Sequence, residues 1–228
     1  ITPALIHAHT STRQRFNGSL RPERIAEGEG AAMVYGSADD TGLLGGDAKH
    51  SRGFRGRFGS FESDANWWAE VDALELNHQH LRKLHDLERL VNLRRASFSS
   101  NELARIEGLD GCAALEELSL EDNRIAKVEN LSRLVMLTKL DLGSNKICTI
   151  EGLETLTALT QLSLEENEIV HLAGLSQLRA LLELYIGSNC ISDTREVLQL
   201  KPLPKLLILD LSGNPLTEAD EYRSHTIY

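Results

Sequence analysis

The chain is poor in cysteine, in aromatic side chains and in positive charge, and it has no long apolar run. Its 228 residues include three cysteines and no C-x-x-C pair. The cysteine pattern excludes a disulfide framework and favours a reducing, cytoplasmic compartment. No apolar stretch approaches the roughly 20 residues of a membrane span. We therefore predict no membrane insertion. No phosphate-binding glycine motif or other arrangement typical of an active site is present, so we also predict no enzyme activity and no cofactor.

The charge balance points away from nucleic acid. Acidic residues number 34 and basic residues 24, which gives a net charge of −10. Residues 1–65 hold eight of each, so residues 66–228 hold the remaining 26 acidic and 16 basic residues. Phosphate contacts need Lys and Arg, and this balance disfavours them. The sign favours a protein partner that carries a basic segment or helix.

Asparagine recurs every 22 residues, which indicates a stack of small repeated units. Gln79 stands one step before the series, and its last member follows a longer step of 25 residues. We predict that these residues turn the chain and satisfy backbone groups inside the stack; surface turn formers would not need so strict a register. The ladder consists of Asn101, Asn123, Asn145, Asn167, Asn189 and Asn214.

Each unit changes its apolar period at the asparagine. Leu118 and Leu120 show the period of two of a half-buried strand, whereas Ile125, Val128 and Leu131 recur every third residue. A period of three fits 3₁₀-like turns better than an α-helix. The predicted fold is therefore an α/β repeat solenoid, with a curved parallel β-sheet on the concave side and a 3₁₀ or short helical convex side.

The chain divides into two regions of different composition. Residues 66–228 form the predicted repeat domain of about seven units, with a partial C-terminal cap after Asn214-Pro215. Trp67 and Trp68 are expected to plug the first unit, or else to serve as exposed binding anchors. Residues 1–65 are rich in Gly, Ser and Arg, which predicts an extended or partner-supported segment. Its Arg-Gly-Phe run leaves RNA contact open. The Ile1 start and incomplete cap suggest cuts through a larger protein.

The concave face is the predicted binding surface. The strand leucines point inward, so the residues between them point outward to the concave side. This face is acidic and has one aromatic, which we expect to act as an anchor. The alternative is a solvated face whose Glu residues serve solubility. The predicted protein-binding residues are Glu117, Glu121, Lys139, Asp141, Gln161, Glu165, Glu183, Tyr185 and Asp210.

Two side-chain groups are considered as sites and rejected. His78 and His80 flank the first turn and would face the same way in an extended strand, with His85 nearby. No carboxylate or cysteine completes a metal set with them, so no metal is predicted. Glu165 and Glu166 are consecutive in the sequence, so they face opposite ways and do not form a catalytic pair.

The pattern L-x-x-L-x-L-x-x-N-x-I/L resembles the leucine-rich repeat. The runs at 103–109 and 147–153, which share Ile-Glu-Gly-Leu, are similar to the 22-residue subclass typified by a regulatory subunit of protein phosphatase one. The residues after Asn214 resemble the first half of the C-terminal cap of intracellular members. The resemblance implies a non-catalytic protein-interaction scaffold in a larger intracellular assembly, with a ciliary or axonemal setting as one expectation. It leaves open a regulatory subunit of an enzyme such as a phosphatase, or a ribonucleoprotein component.

Overall fold

The computed structural model describes residues 10–12 and 67–218, all of which belong to one structural unit. The Gly/Ser/Arg-rich segment predicted over 1–65 lies outside the described residues except for residues 10–12. The end of the predicted cap, residues 219–228, also lies outside them.

Eight short strands form one sheet in the order of the sequence. They are β1 (Thr10–Thr12), β2 (Val71–Glu75), β3 (Arg95–Ser97), β4 (Glu117–Ser119), β5 (Lys139–Asp141), β6 (Gln161–Ser163), β7 (Glu183–Tyr185) and β8 (Ile208–Asp210). The strands β2 to β8 are parallel, and Leu118 lies opposite Leu140, 22 residues later. In the last pair Glu183 lies opposite Ile208. The predicted parallel repeat sheet is thus confirmed.

The strand β1 was not expected from the sequence. It runs antiparallel to β2, with Ser11 opposite Ala73. No apolar period precedes residue 66, and pattern reasoning therefore predicts no strand there. An edge strand pairs through its backbone, so a Thr-Ser-Thr segment can fill this role without an apolar signal. Its pairing covers one edge of the parallel sheet, which would otherwise present unpaired backbone groups.

The return from each strand to the next follows 3₁₀ geometry. Leu134 donates its backbone N–H to the Leu131 carbonyl at 2.9 Å, and Leu137 donates to Leu134 at 3.0 Å. The same i to i+3 bonds recur in the other units. Three 3₁₀ helices occur, at Trp67–Glu70, Thr194–Leu200 and Pro215–Glu218, and the described residues contain no α-helix. The apolar period of three matches three residues per turn.

The extra residues of the last step lie in the second 3₁₀ helix. This helix, Thr194–Leu200, precedes β8 and buries Val197 and Leu200. Its N-terminus is capped by the Asp193 side chain, which accepts the Arg195 backbone N–H at 2.9 Å. The longer step therefore enlarges the convex side and leaves the parallel pairing of β7 with β8 intact.

The core is one continuous row of apolar side chains between the sheet and the convex turns. Leu118, Leu140 and Leu162 lie opposite one another in neighbouring strands and are at most 2% exposed. At the N-terminal end the half-buried Trp68 packs against this core, as expected of a plug. Each unit thus buries its apolar side chains against the next, which is why the repeats need one another.

The ladder asparagines are buried between the units. Asn145 donates its amide Nδ2 to the carbonyls of Leu120, Leu142 and Gly143 at 2.9–3.1 Å. Its Oδ1 accepts the backbone N–H of Ile125 at 2.9 Å. One side chain therefore connects its own turn to the preceding unit. Gln79 lacks this geometry: among the described residues its side-chain amide donates only to the Asn77 carbonyl, at 3.0 Å.

The residue before each ladder position adopts a left-handed backbone conformation. Its φ lies between 50° and 68° in every unit. This change of φ lies three residues after the end of each strand and turns the chain towards the convex side. Only the last of these residues is glycine, so residue type alone does not reveal the position. The residues are His78, Ser100, Asp122, Ser144, Glu166, Ser188 and Gly213.

Candidate functional site

The exposed side of β2 to β8, called the sheet face here, carries the residues that flank each buried strand centre. The strand centres are buried in β3 to β7, and the first and third residues of these strands are half-buried or exposed. In β2 the buried Leu74 likewise lies between the half-buried Ala73 and the exposed Glu75. Two residues beyond each strand, Glu121, Gly143 and Glu165 continue the same alignment, because Asp122 donates to the Gly143 carbonyl and Ser144 to the Glu165 carbonyl. The nine predicted residues therefore lie in three aligned rows of one face.

Two neighbouring regions of this face, which share Asp141, contain most of these nine residues. A groove of about 430 Å³ runs over β2 to β6 and is lined by four of them, Glu117, Lys139, Asp141 and Gln161. The other five do not line it. We call the region at the carboxyl ends of β4 to β8 the acidic end; it contains Glu121, Asp122, Asp141, Glu165, Glu166 and Asp210.

The charges in the groove are compensated internally. The Lys139 ammonium lies 2.9 Å from the Glu117 carboxylate, which is directly opposite it in the next strand. Arg95 approaches Asp72 at 3.9 Å. Ser97, Ser119 and Ser163 also line the groove. Ser119 shares a hydrogen bond of 2.8 Å with Ser99. The groove is therefore polar and almost neutral, which the sequence-based description of an acidic face did not anticipate.

The acidic end, in contrast, has no ion pair within the described part of the chain. Burial, followed by the charges of Asp210 and Asp141, raises the pKa of the Glu165 carboxyl. Burial, followed by Asp141 and Asp122, likewise raises the pKa of Glu121, although that side chain is exposed overall. Carboxylates thus repel one another across three neighbouring strands.

Several acidic residues elsewhere are paired with arginine or lysine from a neighbouring unit. Glu102 contacts Arg82 at 3.2 Å and Arg124 at 3.4 Å. Glu129 contacts Arg105 at 2.9 Å. Among the described residues, these carboxylates therefore have a cation in a neighbouring unit, whereas those of the acidic end do not.

Tyr185 lies beside the acidic end, in β7. Its side chain is half-buried, and its hydroxyl donates to the Glu183 carboxylate at 3.0 Å. This hydrogen bond, followed by burial, raises the pKa of Tyr185. Across the strand pair it lies opposite Asp210. A half-buried aromatic ring among carboxylates suits contact with a cationic side chain.

One residue of the sheet face was missed. Ile208, opposite Glu183, is 45% exposed, and the preceding Leu207 is 80% exposed. Ile208 lies two residues before Asp210, so the alternation that predicted Asp210 also predicts this residue. The last unit therefore adds an apolar element to an otherwise polar face.

The prediction that His78 and His80 lie in an extended strand is wrong. His78 and His80 both have left-handed φ values, 57° and 54°. His80 lies 3.5 Å from Glu102, and His85 lies 2.6 Å from Asp86. In the described ranges, no three His, Cys, Asp or Glu side chains are grouped as metal ligands.

The repeat geometry agrees with the comparisons. A family model described as leucine-rich repeat matches residues 114–228, half of the chain, and the chain belongs to this family. Within the described residues, no helix has the length and apolar character to cross a membrane.

Solved structures share the fold. Internalin C2 of Listeria monocytogenes is similar with a TM-score of 0.56 and 24% identity, over 67% of this chain and 76% of that one. The functional domain of InlJ from the same organism has a TM-score of 0.56 and 28% identity, over 67% and 32%. TLR13, in a complex with ssRNA13, has a TM-score of 0.57 and 27% identity, over 63% and 22%. The chain thus corresponds to about a third of the InlJ domain and a fifth of TLR13.

Proposed function

We propose that the repeat array is a non-catalytic protein-interaction module whose sheet face binds a basic segment or helix of a protein partner. The observation that carries this proposal is the acidic end, whose carboxylates have no cation partner among the described residues, while Glu102, Glu129 and other carboxylates have one. A cationic partner would relieve the repulsion among them. Tyr185 offers an aromatic anchor beside these charges.

The setting is proposed to be a larger intracellular assembly, with a ciliary or axonemal one as the specific case. Three free thiols support a reducing compartment, with Cys112 buried and Cys148 and Cys190 exposed. The ciliary setting rests on the family resemblance. Proximity labelling with the full-length protein in ciliated cells tests it: labelled proteins restricted to non-ciliary compartments would contradict it.

The binding face is tested by capture of partners with a triple variant, Glu121→Gln, Glu165→Gln and Tyr185→Ala. These side chains lie outside the core, so the variant is expected to fold and to lose most of the recovered partner. The matched control is Glu129→Gln, which removes a carboxylate that is paired with Arg105 and lies outside the sheet face. Equal partner recovery by the triple variant and the parent would reject the sheet face as the binding surface.

RNA binding is a second candidate because TLR13 is a structural neighbour captured with ssRNA13. The sheet face of this chain opposes it, since uncompensated carboxylates would repel phosphates. A crosslinking signal between the sheet face of the parent protein and RNA in cells would reverse this preference.

A further inference from the structure

Exposed apolar side chains gather where the chain enters the strands. Seven large apolar side chains are exposed among the described residues. Five of them lie at the first residue of a strand or within the four residues before it: Val91, Val135, Met136, Leu207 and Ile208. Met136 is 55% exposed and Leu207 is 80% exposed. We call this side of the sheet, where the parallel strands begin, the entry edge.

The entry edge carries an uncharged row along β5 to β8. Thr160 donates its backbone N–H to the Thr138 carbonyl at 2.8 Å, Leu182 donates to Thr160 at 2.9 Å, and Leu207 donates to Leu182 at 2.8 Å. Each of these residues directly precedes its strand. Two residues earlier, three units contribute an uncharged side chain as well. The resulting apolar strip consists of Met136, Ala158, Thr160, Ala180, Leu182 and Leu207.

The strip is confined to the later units. Before β3 and β4 the corresponding residues are Arg94 and Glu116, which form an ion pair. Thr160 is compatible with an apolar surface, because its hydroxyl donates to the Thr138 carbonyl at 3.0 Å and is satisfied within the chain. Since the position before a strand is half-buried or exposed in β3 to β8, the core does not require Leu182 and Leu207 there.

Two cations border the strip. Arg179 directly precedes Ala180, and Lys205 lies two residues before Leu207; both side chains are exposed. Neither has an ion pair among the described residues, whereas the exposed Arg105 is paired with Glu129. Cations beside an uncharged surface are complementary to a partner that carries carboxylates next to its own apolar side chains.

The backbone of the strip excludes strand addition. The Thr160 N–H and carbonyl are both used between units, the carbonyl by Leu182. An added strand would need free groups of this kind, whereas an α-helix satisfies its own backbone. Helix residues at i, i+3 and i+4 lie about 5–6 Å apart, close to the roughly 4.8 Å between neighbouring strands. Each unit of the strip can therefore contact one apolar side chain of a helix.

We propose that the entry edge is a second interaction surface and that its occupant is an amphipathic α-helix of a protein partner. The helix lies along the stack, across β5 to β8, with apolar residues at i, i+3 or i+4, and i+7 packed on the strip. Acidic residues on one side of the helix contact Arg179 and Lys205. This surface is separate from the acidic end and selects the opposite charge.

The test uses three synthetic helical peptides of equal length. The first carries leucines at i, i+3 and i+7 and glutamates along one side. The second replaces the glutamates by glutamines, and the third replaces the leucines by alanines. Circular dichroism checks that their helical content matches. Binding to the full 228-residue chain is followed by fluorescence anisotropy.

The first peptide is expected to bind most tightly, with an affinity at least about tenfold above that of the alanine peptide. It should also bind more tightly than the glutamine peptide. Because the chain has a net charge of −10, non-specific charge effects would give the opposite order for these two. Equal binding of the leucine and alanine peptides, or tighter binding of the glutamine peptide, would overturn the proposal.

Variants of the strip separate its apolar part from its charges. Met136→Gln with Leu207→Gln changes two exposed side chains outside the core and should weaken binding of the first peptide at least about tenfold. Val170→Gln is the matched control, because this exposed apolar residue lies outside the entry edge. Unchanged affinity in the folded double variant would contradict the proposal.

Arg179→Gln with Lys205→Gln should abolish the preference for glutamate over glutamine and retain the need for leucine. The matched control is Lys83→Gln with Lys146→Gln, which removes the same charge from exposed residues outside the entry edge. A preference that survives the first pair of substitutions, or that disappears in the control, would overturn the role given to the two cations.

Other occupants give distinct results. Dimerisation of the chain that Met136→Gln with Leu207→Gln abolishes would assign the strip to a second copy and overturn the helix partner. Binding to vesicles of phosphatidylcholine and phosphatidylserine, lost in the same variant, would assign it to a membrane surface with the same consequence. The triple variant of the acidic end should bind the first peptide as the parent does, so each proposal can fail without the other.

Discussion

Asn123 and Leu103 are joined across neighbouring units by a hydrogen bond from the Leu103 backbone N–H to Asn123 Oδ1, 3.0 Å long. The Asn123 amide also donates to the Phe98 carbonyl of the preceding unit at 3.0 Å. The same two links recur at Asn145, Asn167 and Asn189. Each of these asparagines therefore links its own turn to the residues on both sides of the corresponding turn in the preceding unit.

Replacing an interior asparagine should strongly destabilise the stack. Asn145→Ala removes four hydrogen-bond contacts and leaves buried backbone groups unpaired. The expected loss in free energy of unfolding is about 3 kcal/mol, measured by urea denaturation. Gln79→Ala is the matched control, because its side chain makes a single bond to Asn77, and should cost about 1 kcal/mol or less. Equal losses would show that the ladder bonds contribute little.

The ladder and the parallel sheet could be predicted because both follow from a strict period. A repeat of 22 residues fixes which side chains stack, and the periods of two and three specify strand and 3₁₀ return. The sheet-face rows followed from the same alternation, and Ile208 could have been found by it. For these features the local sequence carries all of the needed information.

Other features depend on partners that a period does not reveal. β1 pairs through backbone groups, so Thr10–Thr12 gives no apolar signal. The neutrality of the groove depends on Lys139 lying beside Glu117 across a strand pair. The raised pKa of Glu165 depends first on its burial and then on Asp210 two strands away. Splitting the face into a groove and an acidic end required side-chain positions, not their order in the chain.

Glycine at residue 174 is expected to be indispensable for a backbone reason. Its φ is +101°, and an added Cβ would lie 2.0 Å from the Ile150 carbonyl oxygen. Gly174→Ala should therefore lower the free energy of unfolding by about 1–3 kcal/mol or more, measured by denaturation. Gly143→Ala is the matched control, since its nearest contact is a movable carboxylate at 3.3 Å, and should be nearly neutral. Similar destabilisation by both would contradict the distinction.

The three thiols should differ sharply in reactivity. Burial, followed by the charge of Glu88, raises the pKa of Cys112 to about 11. At pH 8 only about one thiol in a thousand is then ionised, and its sulfur is also buried among core side chains. Cys148 and Cys190 are exposed. A thiol reagent at pH 8 should label Cys148 and Cys190 quickly and Cys112 only when the protein unfolds, as counted by mass spectrometry. Rapid labelling of Cys112 in folded protein would contradict the packing described.

The acidic end should give a characteristic pH dependence. The folded-state pKa values of Glu121 and Glu165 are raised above 4.5, so the folded protein binds protons more readily than the unfolded chain there. These two groups therefore add stability below pH 4.5 and lose it as the pH rises through their folded-state pKa values. When ionised, the Glu165 carboxylate is repelled chiefly by Asp210 and Asp141. Glu165→Gln removes this repulsion and should raise Tm by roughly 1–3 °C.

The gain from Glu165→Gln should shrink as the pH is lowered from 7 towards 4.5, because the parent glutamate becomes neutral as well. Thermal melts of both proteins across this range measure the difference directly. Glu129→Gln serves as control: its carboxylate is paired with Arg105, so its loss should lower Tm slightly or leave it unchanged. A gain in Tm from Glu165→Gln that stays constant down to pH 4.5 would mean that charge repulsion is not its source. Lower Tm at pH 7 would mean that Glu165 has a favourable partner, which would also remove the basis for a cationic ligand at the acidic end.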